Sequence, residues 1–343
     1  MKAAMRIDMK TAMAAVVEGT DLTREEARHV AELILSGQAT DVEIAGFLTA
    51  LRMKGETVEE ILGFASVLRA KANTIAPRCG RYVDLVGTGG DCTYSFNIST
   101  TAAFVVAGAG LPVAKHGNRS ISSRSGAADV LEALGVNIVA DPEVVQTCVE
   151  EAGIGFMMAP QFNPCMKYVG PVRRTLGIRT IFNILGPLSN PSRAKRMVVG
   201  VYDPGMVETI ARVMAQLGVE RGFVVSGDNH MDELNLAGTT TVGEIKDGEV
   251  TVFEVKPEDF GLKRCALPEL LGGDGMENAA ITRAVLSGEQ QGAKRDIVLL
   301  NAGAALCIGG FADSVEKGIA LAAASIDSGR AMGALKKMIK LSN

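Results

Sequence analysis

The chain contains 343 residues with 35 basic and 39 acidic side chains, a formal net charge of −4, which excludes a protein whose main partner is a nucleic-acid backbone or an anionic membrane. Hydrophobic residues form 47% and charged residues 22% of the sequence, a balance that excludes wholesale disorder. Six scattered cysteines, no apolar run of bilayer length and no signal peptide predict a cytoplasmic protein with reduced thiols.

The first 73 residues are predicted to be entirely helical. Three capping boxes, in which a threonine precedes a glutamate by three positions, mark helix starts. They are Thr23 with Glu26, Thr40 with Glu43, and Thr57 with Glu60. Three helices of this length form only a small core. We therefore expect this block to pack on the rest of the chain or on a second copy.

From about residue 74 the pattern changes to strands that alternate with helices, which predicts βαβ units and a mainly parallel sheet. Predicted strands cover 82–86, 111–115, 154–158, 197–201 and 222–226, and predicted helices cover 99–109, 128–134, 142–152 and 204–217. A hairpin over 239–246 and 249–255 and a helical tail from about 276 follow. The predicted fold class is α/β: a small all-helical domain plus a larger α/β domain with a mainly parallel central sheet flanked by helices.

The segment 164–192 interrupts this alternation. Its 168–183 portion predicts a helix that carries Arg173, Arg174 and Arg179. We expect the segment to leave the α/β layer and to return to it.

The first loop of unusual composition follows the predicted strand 82–86. Three glycines within 87–90 allow the backbone amides to point inward at an anion. Ser99 and Thr100 then open a helix, whose N-terminal amides favour phosphate. Asp91 would repel such an anion, so it needs another role, such as binding a sugar hydroxyl. An ordinary glycine turn with a helix cap is the alternative.

The second loop, 115–126, carries three cations and four hydroxyl groups after a buried strand. Donors at this density suit a diphosphate or a phosphate ester. His116, between Lys115 and Asn118, is a candidate ligand contact whose protonation state the sequence does not define. A solvated polar loop is the alternative interpretation.

The third loop, 227–233, ends in the adjacent carboxylates Asp232 and Glu233. Mg²⁺ commonly binds one or two carboxylates together with substrate phosphates and waters, so the pair predicts a magnesium site. A solvated acidic pair is the alternative. An arginine that faces a ligand pocket binds carboxylates in a bidentate manner, and the sequence leaves open whether Arg173 or Arg174 does so.

Other catalytic and nucleotide-binding motifs do not occur in the sequence. It has no P-loop, and Gly108-Ala109-Gly110 lacks the third glycine of the dinucleotide-binding fingerprint. No GxSxG or Ser-His-Asp arrangement supplies a nucleophile. A diphosphate ligand with Mg²⁺ then favours transfer chemistry, in which a sugar loses pyrophosphate through an oxocarbenium-like state while the protein positions the acceptor.

At these loops the sequence resembles the anthranilate phosphoribosyltransferases of tryptophan biosynthesis. The matching motifs are GTGGD at 87–91, NIST at 97–100, KHGNR at 115–119, SS at 122–123, GAAD at 126–129, VRR at 172–174, NILGPL at 183–188 and DE at 232–233. Their order and spacing match the family along the whole chain. One departure is Ala127, where many members have Ser, and it affects at most a minor contact.

The resemblance implies transfer of the 5-phosphoribosyl group of phosphoribosyl pyrophosphate to the amine of anthranilate, with Mg²⁺ and with release of pyrophosphate. The implied contacts of phosphoribosyl pyrophosphate are Gly87, Gly90, Asp91, Ser95, Asn97, Ile98, Ser99, Thr100, Lys115, His116, Gly117, Asn118, Arg119, Ser120, Ile121, Ser122, Ser123 and Ala127. Asn118 and Arg173 would hold anthranilate, Arg173 through the carboxylate. Ser99, Asp232 and Glu233 would serve the metal. Lys115 and His116 are the candidates for a catalytic role.

The resemblance also implies the fold of the pyrimidine nucleoside phosphorylases. The helical domain would comprise 1–73 with a returning segment at about 164–195, and the α/β domain 74–163 and 196–343. Family members dimerise through the helical domain, so we expect a homodimer. The alternatives on this fold are a nucleoside phosphorylase, whose arginine-glycine signature is missing here, and a non-enzymatic nucleic-acid-binding relative, which should be basic and lack the metal carboxylates.

Overall fold

The computed structural model describes residues 7–120 and 124–343. Its contacts divide the chain into two compact units. The helical unit comprises the residues up to Asn73 together with Pro160–Ser189, and the α/β unit comprises Thr74–Ala159 with Asn190–Asn343. The sequence places the returning segment at about 164–195, and the contacts place it at Pro160–Ser189. A small helical unit together with a larger α/β unit is the predicted fold class, which is confirmed.

Four helices form the first part of the helical unit. They are α1 (Met9–Val17), α2 (Arg24–Leu35), α3 (Asp41–Lys54) and α4 (Val58–Lys71). All three predicted capping boxes are present at the starts of α2, α3 and α4. The prediction of an all-helical segment covers α1 as well, but it counted three helices where the structure has four; the first turn of α1 is capped by Asp8.

The returning segment completes the core of the helical unit. It contains α8 (Ala159–Phe162), a 3-10 turn (Pro164–Tyr168), α9 (Gly170–Leu176), a second 3-10 turn (Ile181–Asn183) and α10 (Leu185–Leu188). The ring of Phe182 packs edge-on against Phe64, with 5.8 Å between the ring centroids. The amide of Asn73 donates to the carbonyl of Phe162 at 2.8 Å. Residues far apart in the sequence therefore share one core.

The predicted continuous helix over 168–183 is wrong. The helix α9 ends at Leu176 because Gly177 adopts a left-handed conformation, with φ 62°. Its amide donates to the carbonyl of Arg173, which closes the last turn.

Within residues 7–120 and 124–343, seven strands and the remaining helices form the α/β unit. The strands are β1 (Asp84–Gly87), β2 (Val113–Gly117), β3 (Ile154–Met158), β4 (Arg196–Gly200), β5 (Arg221–Gly227), β6 (Thr240–Lys246) and β7 (Glu249–Val255). The helices are α5 (Ile98–Gly108), α6 (Ala127–Ala133), α7 (Pro142–Thr147) with a π-helical continuation (Cys148–Ala152), α11 (Val207–Gln216), α12 (Gly275–Ser287), α13 (Ala293–Ile308), α14 (Val315–Asp327) and α15 (Arg330–Ser342).

The strand order is β1-β4-β5-β6-β7, with β2 and β3 as a separate parallel pair. The pairs β1–β4 and β4–β5 are parallel, whereas β6 and β7 form the predicted antiparallel hairpin. A parallel bridge between Val83 and Val113 places β2 beside β1. The mainly parallel sheet is thus confirmed, and β1, β2, β4 and β5 all point their carboxyl ends toward one edge.

The helix α13 lies in the core of the α/β unit. All of its residues from Ile297 to Ile308 are buried. The amide of buried Asn301 donates to the carbonyl of Leu234, and its oxygen accepts from the Leu234 amide, both at 3.0 Å. The core helix thereby holds the chain immediately after the predicted metal carboxylates. Neither α13 nor another helix of the described residues combines the length and hydropathy needed to span a membrane.

Candidate active site

The glycine loop and the acidic pair meet at the carboxyl edge of the sheet. Gly89 and Gly90 both have positive φ, 69° and 75°. The amide of Gly89 donates to Oδ2 of Asp232 at 2.7 Å. The amide of Ser99, in the first turn of α5, donates to Oε1 of Glu233 at 3.0 Å. Each carboxylate of the third loop therefore accepts an amide that belongs to the first loop or to the helix it leads into.

Two glycines make room for Asp232. A Cβ atom at Gly87, the last residue of β1, would lie 2.2 Å from Oδ2 of Asp232. A Cβ atom at Gly200, the last residue of β4, would lie 1.6 Å from the Asp232 carbonyl oxygen. An added side chain at Gly87 would displace the Asp232 carboxylate, and one at Gly200 would displace the backbone of the acidic loop. The sequence motifs include Gly87 but miss Gly200.

The raised pKa values of Asp232 and Glu233 are typical of carboxylates placed to bind a divalent cation. Both carboxylate residues are only half-buried, yet burial, with repulsion by Asp91 as the second cause, raises the pKa of Asp232 to about 7. Burial also raises the pKa of Glu233 to about 8, with repulsion by Asp232 as the second cause. Close hard oxygen ligands that repel one another are stabilised by a bound cation.

Asp232, Glu233 and the Ser99 hydroxyl fit a magnesium ion held jointly with a substrate. Within residues 7–120 and 124–343, no three His, Cys, Asp or Glu side chains form a group that could hold a metal by themselves. Mg²⁺ does not require such a cage, because substrate phosphates and waters commonly complete its shell. The donor set is thus chemically suited to Mg²⁺.

Lys115 is buried between β1 and the start of α5. Its ammonium group donates to the carbonyl of Leu85 and, at 3.4 Å, to the hydroxyl of Ser99. Burial lowers the pKa of Lys115, whereas the neighbouring carboxylates, Asp84 and Glu233 foremost, raise it. One cation is thus placed among acids at the site where a diphosphate is predicted to bind.

Asp84 is a buried residue that the sequence reasoning missed. Its carboxylate accepts from the Asn190 side chain at 2.6 Å and from the His116 amide at 3.4 Å. Burial raises the pKa of Asp84 to about 6, and the charge of Lys115 opposes that shift. The sequence does contain a signal for Asp84, namely a charged residue inside the predicted strand 82–86. No such signal exists for Asn190, which is brought here by the fold.

The second loop is tied to α6. Arg119 forms ion pairs with Asp129 and Glu132 at 2.9 and 2.8 Å, and its hydrogen bond with Glu132 is the main cause of its raised pKa. The Ser120 amide also donates to Asp129, at 3.0 Å. Arg119 therefore holds the loop on α6, and its contact with substrate stays a prediction. The candidates Ile121, Ser122 and Ser123 lie outside the described residues.

Some of the other predicted site residues form hydrogen bonds within the protein, and others do not. The side-chain oxygen of Asn97 accepts from Ser125 at 3.2 Å and from Asn278 at 2.8 Å, which joins the first two loops to α12. In contrast, the hydroxyl of Thr100 is buried without a hydrogen-bond partner. A buried hydroxyl without a partner at the start of α5 suits a ligand contact. The remaining candidates flank these groups: Gly90, Ser95, Ile98, Gly117, Asn118 and Ala127.

Arg173 and Arg174 differ in environment within the helical unit. Arg174 is exposed, whereas Arg173 is half-buried with its guanidinium 5.8 Å from the centre of the Phe182 ring. Burial lowers the pKa of Arg173. No carboxylate of the described residues forms an ion pair with it. Of the two arginines, Arg173 is the one placed to receive an external carboxylate.

Comparisons with known proteins identify the family of the chain. The helical bundle domain model of a glycosyl transferase family matches residues 10–72, and the a/b domain model of that family matches residues 79–332. The anthranilate phosphoribosyltransferase of Chelativorans sp. strain BNC1 is 51% identical over 337 residues, which cover 98% of each chain.

Solved structures extend the match to three dimensions. The anthranilate phosphoribosyltransferase of Thermus thermophilus has a TM-score of 0.91 and 42% identity, covering 96% of this chain and 99% of the other. The Saccharomyces cerevisiae enzyme in complex with PRPP and Mg has a TM-score of 0.89 and 29% identity, covering 97% of each chain. The family predicted from the loop motifs is thereby confirmed, and the chain belongs to the anthranilate phosphoribosyltransferase family of glycosyltransferases.

Proposed function

We propose that this chain transfers the 5-phosphoribosyl group of phosphoribosyl pyrophosphate to the amine of anthranilate, with release of pyrophosphate, in tryptophan biosynthesis. The observation that carries the proposal is the meeting of Asp232 with Gly89 and of Glu233 with Ser99. It joins an anion-binding loop, a helix N-terminus and two magnesium-type ligands at one edge of the sheet. The relatives named above support the two substrates and the metal.

The diphosphate is proposed to bind where the glycine loop meets α5. Amides of the 87–90 loop and of the first turn of α5 offer donors to its oxygens, and Lys115 supplies a positive charge. Mg²⁺, held by Asp232, Glu233 and the Ser99 hydroxyl, would neutralise charge that builds on the leaving group. Because these groups stabilise the diphosphate as the bond from the ribose carbon to its oxygen breaks, they lower the barrier to its departure.

Anthranilate is proposed to bind through Asn118 and Arg173. The half-buried guanidinium of Arg173 would take the carboxylate in a bidentate manner and so direct the amine. The amine is weakly basic, so its lone pair is free at neutral pH to form the bond to the ribose carbon. That bond leaves a positive charge on the nitrogen, which makes its proton acidic enough to pass to water, so the reaction requires no strong general base.

A single assay tests the proposed activity. Purified protein is incubated with Mg²⁺, phosphoribosyl pyrophosphate and anthranilate, and the fluorescent phosphoribosylanthranilate is measured. Parallel reactions contain a pyrimidine nucleoside with inorganic phosphate. Product in the first reaction alone supports the proposal. Nucleoside cleavage without phosphoribosylanthranilate, in folded protein, would assign a phosphorylase instead.

We also propose a cytoplasmic homodimer that associates through the helical unit. Val42 and Met53, eleven positions apart on α3, lie on one stripe of the helix and are 82% and 84% exposed. Val17 on α1 is 65% exposed as well. Apolar side chains this exposed suit an interface with a second copy. All six cysteines are free thiols, which suits a reducing compartment.

The mass in solution tests the dimer. Val42→Asp/Met53→Asp is expected to shift the protein from dimer to monomer in light scattering after gel filtration, because each substitution places charge in the proposed contact. The control Val252→Asp/Phe253→Asp changes two exposed apolar residues of β7 in the α/β unit. A dimer that survives the first substitution, or one that the control dissociates, contradicts the proposed interface.

A further inference from the structure

Arginines form a row at the sheet edge opposite the candidate active site. Arg196 and Arg221 are the first residues of β4 and β5 and are paired in parallel register. Arg81 precedes β1, the other neighbour of β4. The active-site loops leave the far ends of these strands. The five residues of β4 put about 13 Å between Arg196 and that end, so the row is a separate place on the molecule.

Two of these arginines have unused donors. The Nε atoms of Arg196 and Arg221 are buried and have no hydrogen-bond partner. Arg196 makes one ion pair, with Glu220 at 3.4 Å, and its side chain is only 17% exposed. Arg221 makes none with any described residue. Because buried guanidinium donors are nearly always paired, their lack of partners points to a missing anion.

The charge around the row remains positive after its protein partners are considered. Arg193 and Lys195 add two cations beside the start of β4. Glu220 pairs with Lys195 at 2.9 Å as well as with Arg196. Glu244 on β6 lies outside ion-pair distance of Arg221. Among the described residues, Glu220 is the carboxylate within ion-pair distance of any of these five cations, since Glu244 and the acids beside Cys307 act on Arg221 only from farther away.

The C-terminal end of α13 explains why Arg81 lies beside it, but it provides no acceptor for the unused donors of Arg196 and Arg221. A Cβ atom at Gly310, just beyond α13, would lie 3.1 Å from Nη1 of Arg81. A helix C-terminus carries a negative charge of about half a unit. That charge explains an arginine beside it. It leaves the buried Nε atoms of Arg196 and Arg221 without an acceptor.

We propose that Arg81, Arg196 and Arg221 bind a polyphosphate chain. Guanidinium groups bind phosphate oxygens through paired donors, and Arg is better suited to this than Lys. Three adjacent strands span about 10 Å, which exceeds one phosphate and matches a chain of two or three. The chain could be inorganic pyrophosphate, which the proposed reaction releases, or the triphosphate of a nucleotide. Both present the same chemistry to the row.

Calorimetric titration with inorganic tripolyphosphate, in the absence of Mg²⁺, tests the site. Wild type is compared with Arg196→Gln/Arg221→Gln and with the control Arg212→Gln/Arg264→Gln. The control removes the same two charges, but from arginines that already pair with Glu208 and Glu258. We expect about tenfold weaker binding for each arginine removed from the row, and unchanged binding in the control. Equal binding in all three proteins would overturn the proposal.

Arg81→Gln provides a second variant, since this exposed residue lies outside the strands and its loss leaves their packing intact. It is expected to weaken binding by about tenfold while the melting temperature stays that of wild type. Titrations with pyrophosphate and with ATP then distinguish the two sources. Tighter binding of citrate than of either would overturn the assignment to phosphate.

Discussion

The carboxylate of Asp232 and the amide of Gly89 are 143 residues apart in the sequence and 2.7 Å apart in the structure. This hydrogen bond joins the acidic loop after β5 to the glycine loop after β1. The two strands are not neighbours, because β4 lies between them. The geometry of the proposed metal site therefore depends on the carboxyl end of β4, where Gly200 leaves the space that Asp232 fills.

Replacement of Asp232 by Asn should raise the Mg²⁺ concentration needed for half-maximal activity by at least about tenfold, because a charged ligand becomes neutral. The measurement is initial rate against Mg²⁺ concentration at saturating substrates. Asp247→Asn is the control, since this exposed turn residue has φ 53°, a conformation that Asn tolerates. An unchanged Mg²⁺ titration for Asp232→Asn would remove this residue from the metal site.

Gly200→Ala should impair both folding and metal use. Its Cβ atom would overlap the backbone of Asp232, so we expect the free energy of unfolding to fall by about 3 kcal/mol and the Mg²⁺ requirement to rise. Gly333→Ala makes the same chemical change in α15, where no atom lies within 4 Å of the added carbon. This control should stabilise the protein by about 0.5–1 kcal/mol. Denaturant unfolding gives the stability of the two variants. Equal changes in the free energy of unfolding would contradict the proposed role of Gly200.

Arg173→Ala should raise the KM for anthranilate by about 10- to 100-fold and leave the KM for phosphoribosyl pyrophosphate nearly unchanged, because the lost ion pair involves only the carboxylate of anthranilate. Its neighbour Arg174 is exposed, so Arg174→Ala is a control with the same chemical change. Steady-state kinetics with each substrate varied in turn provide both constants. Equal increases in the two KM values for Arg173→Ala would show that its role lies elsewhere.

Asp84 should make stability depend on pH. Its pKa of about 6 in the folded protein exceeds the unfolded value, so the folded state holds this proton more tightly. The resulting stabilisation is complete below about pH 4 and is lost as pH rises to about 6, with a total near 3 kcal/mol.

Asp84→Asn removes that titration. The variant should therefore gain stability relative to wild type as pH rises from 4 to 7, because only wild type loses the contribution of Asp84. Urea unfolding of both proteins across this range measures the difference, and the titrations of Asp232 and Glu233 cancel in it. A difference that does not change with pH would show that Asp84 titrates alike in both states.

Local signals predicted the elements, and the loop motifs predicted much of the site. The capping boxes were sufficient for α2 to α4, since both of their hydrogen bonds form within one turn. The glycine and acidic loops were recognised because ligands bind at the carboxyl ends of parallel strands. Asn190 and Gly200 were missed, since their roles arise from strand order and close packing, which no local pattern encodes. The break at Gly177 was missed, although a glycine just after a helical segment is itself a signal for a C-cap.

The completion of the helical core by Phe182 bears on how the protein is synthesised. Domains usually fold in order as the chain leaves the ribosome. Here α1 to α4 emerge first, yet the ring that packs on Phe64 arrives only after β1, β2 and β3 have been translated. An N-terminal fragment that ends at Asn73 would leave Phe64 without this partner. The core of α1 to α4 therefore stays incompletely packed during synthesis until the returning segment has been translated.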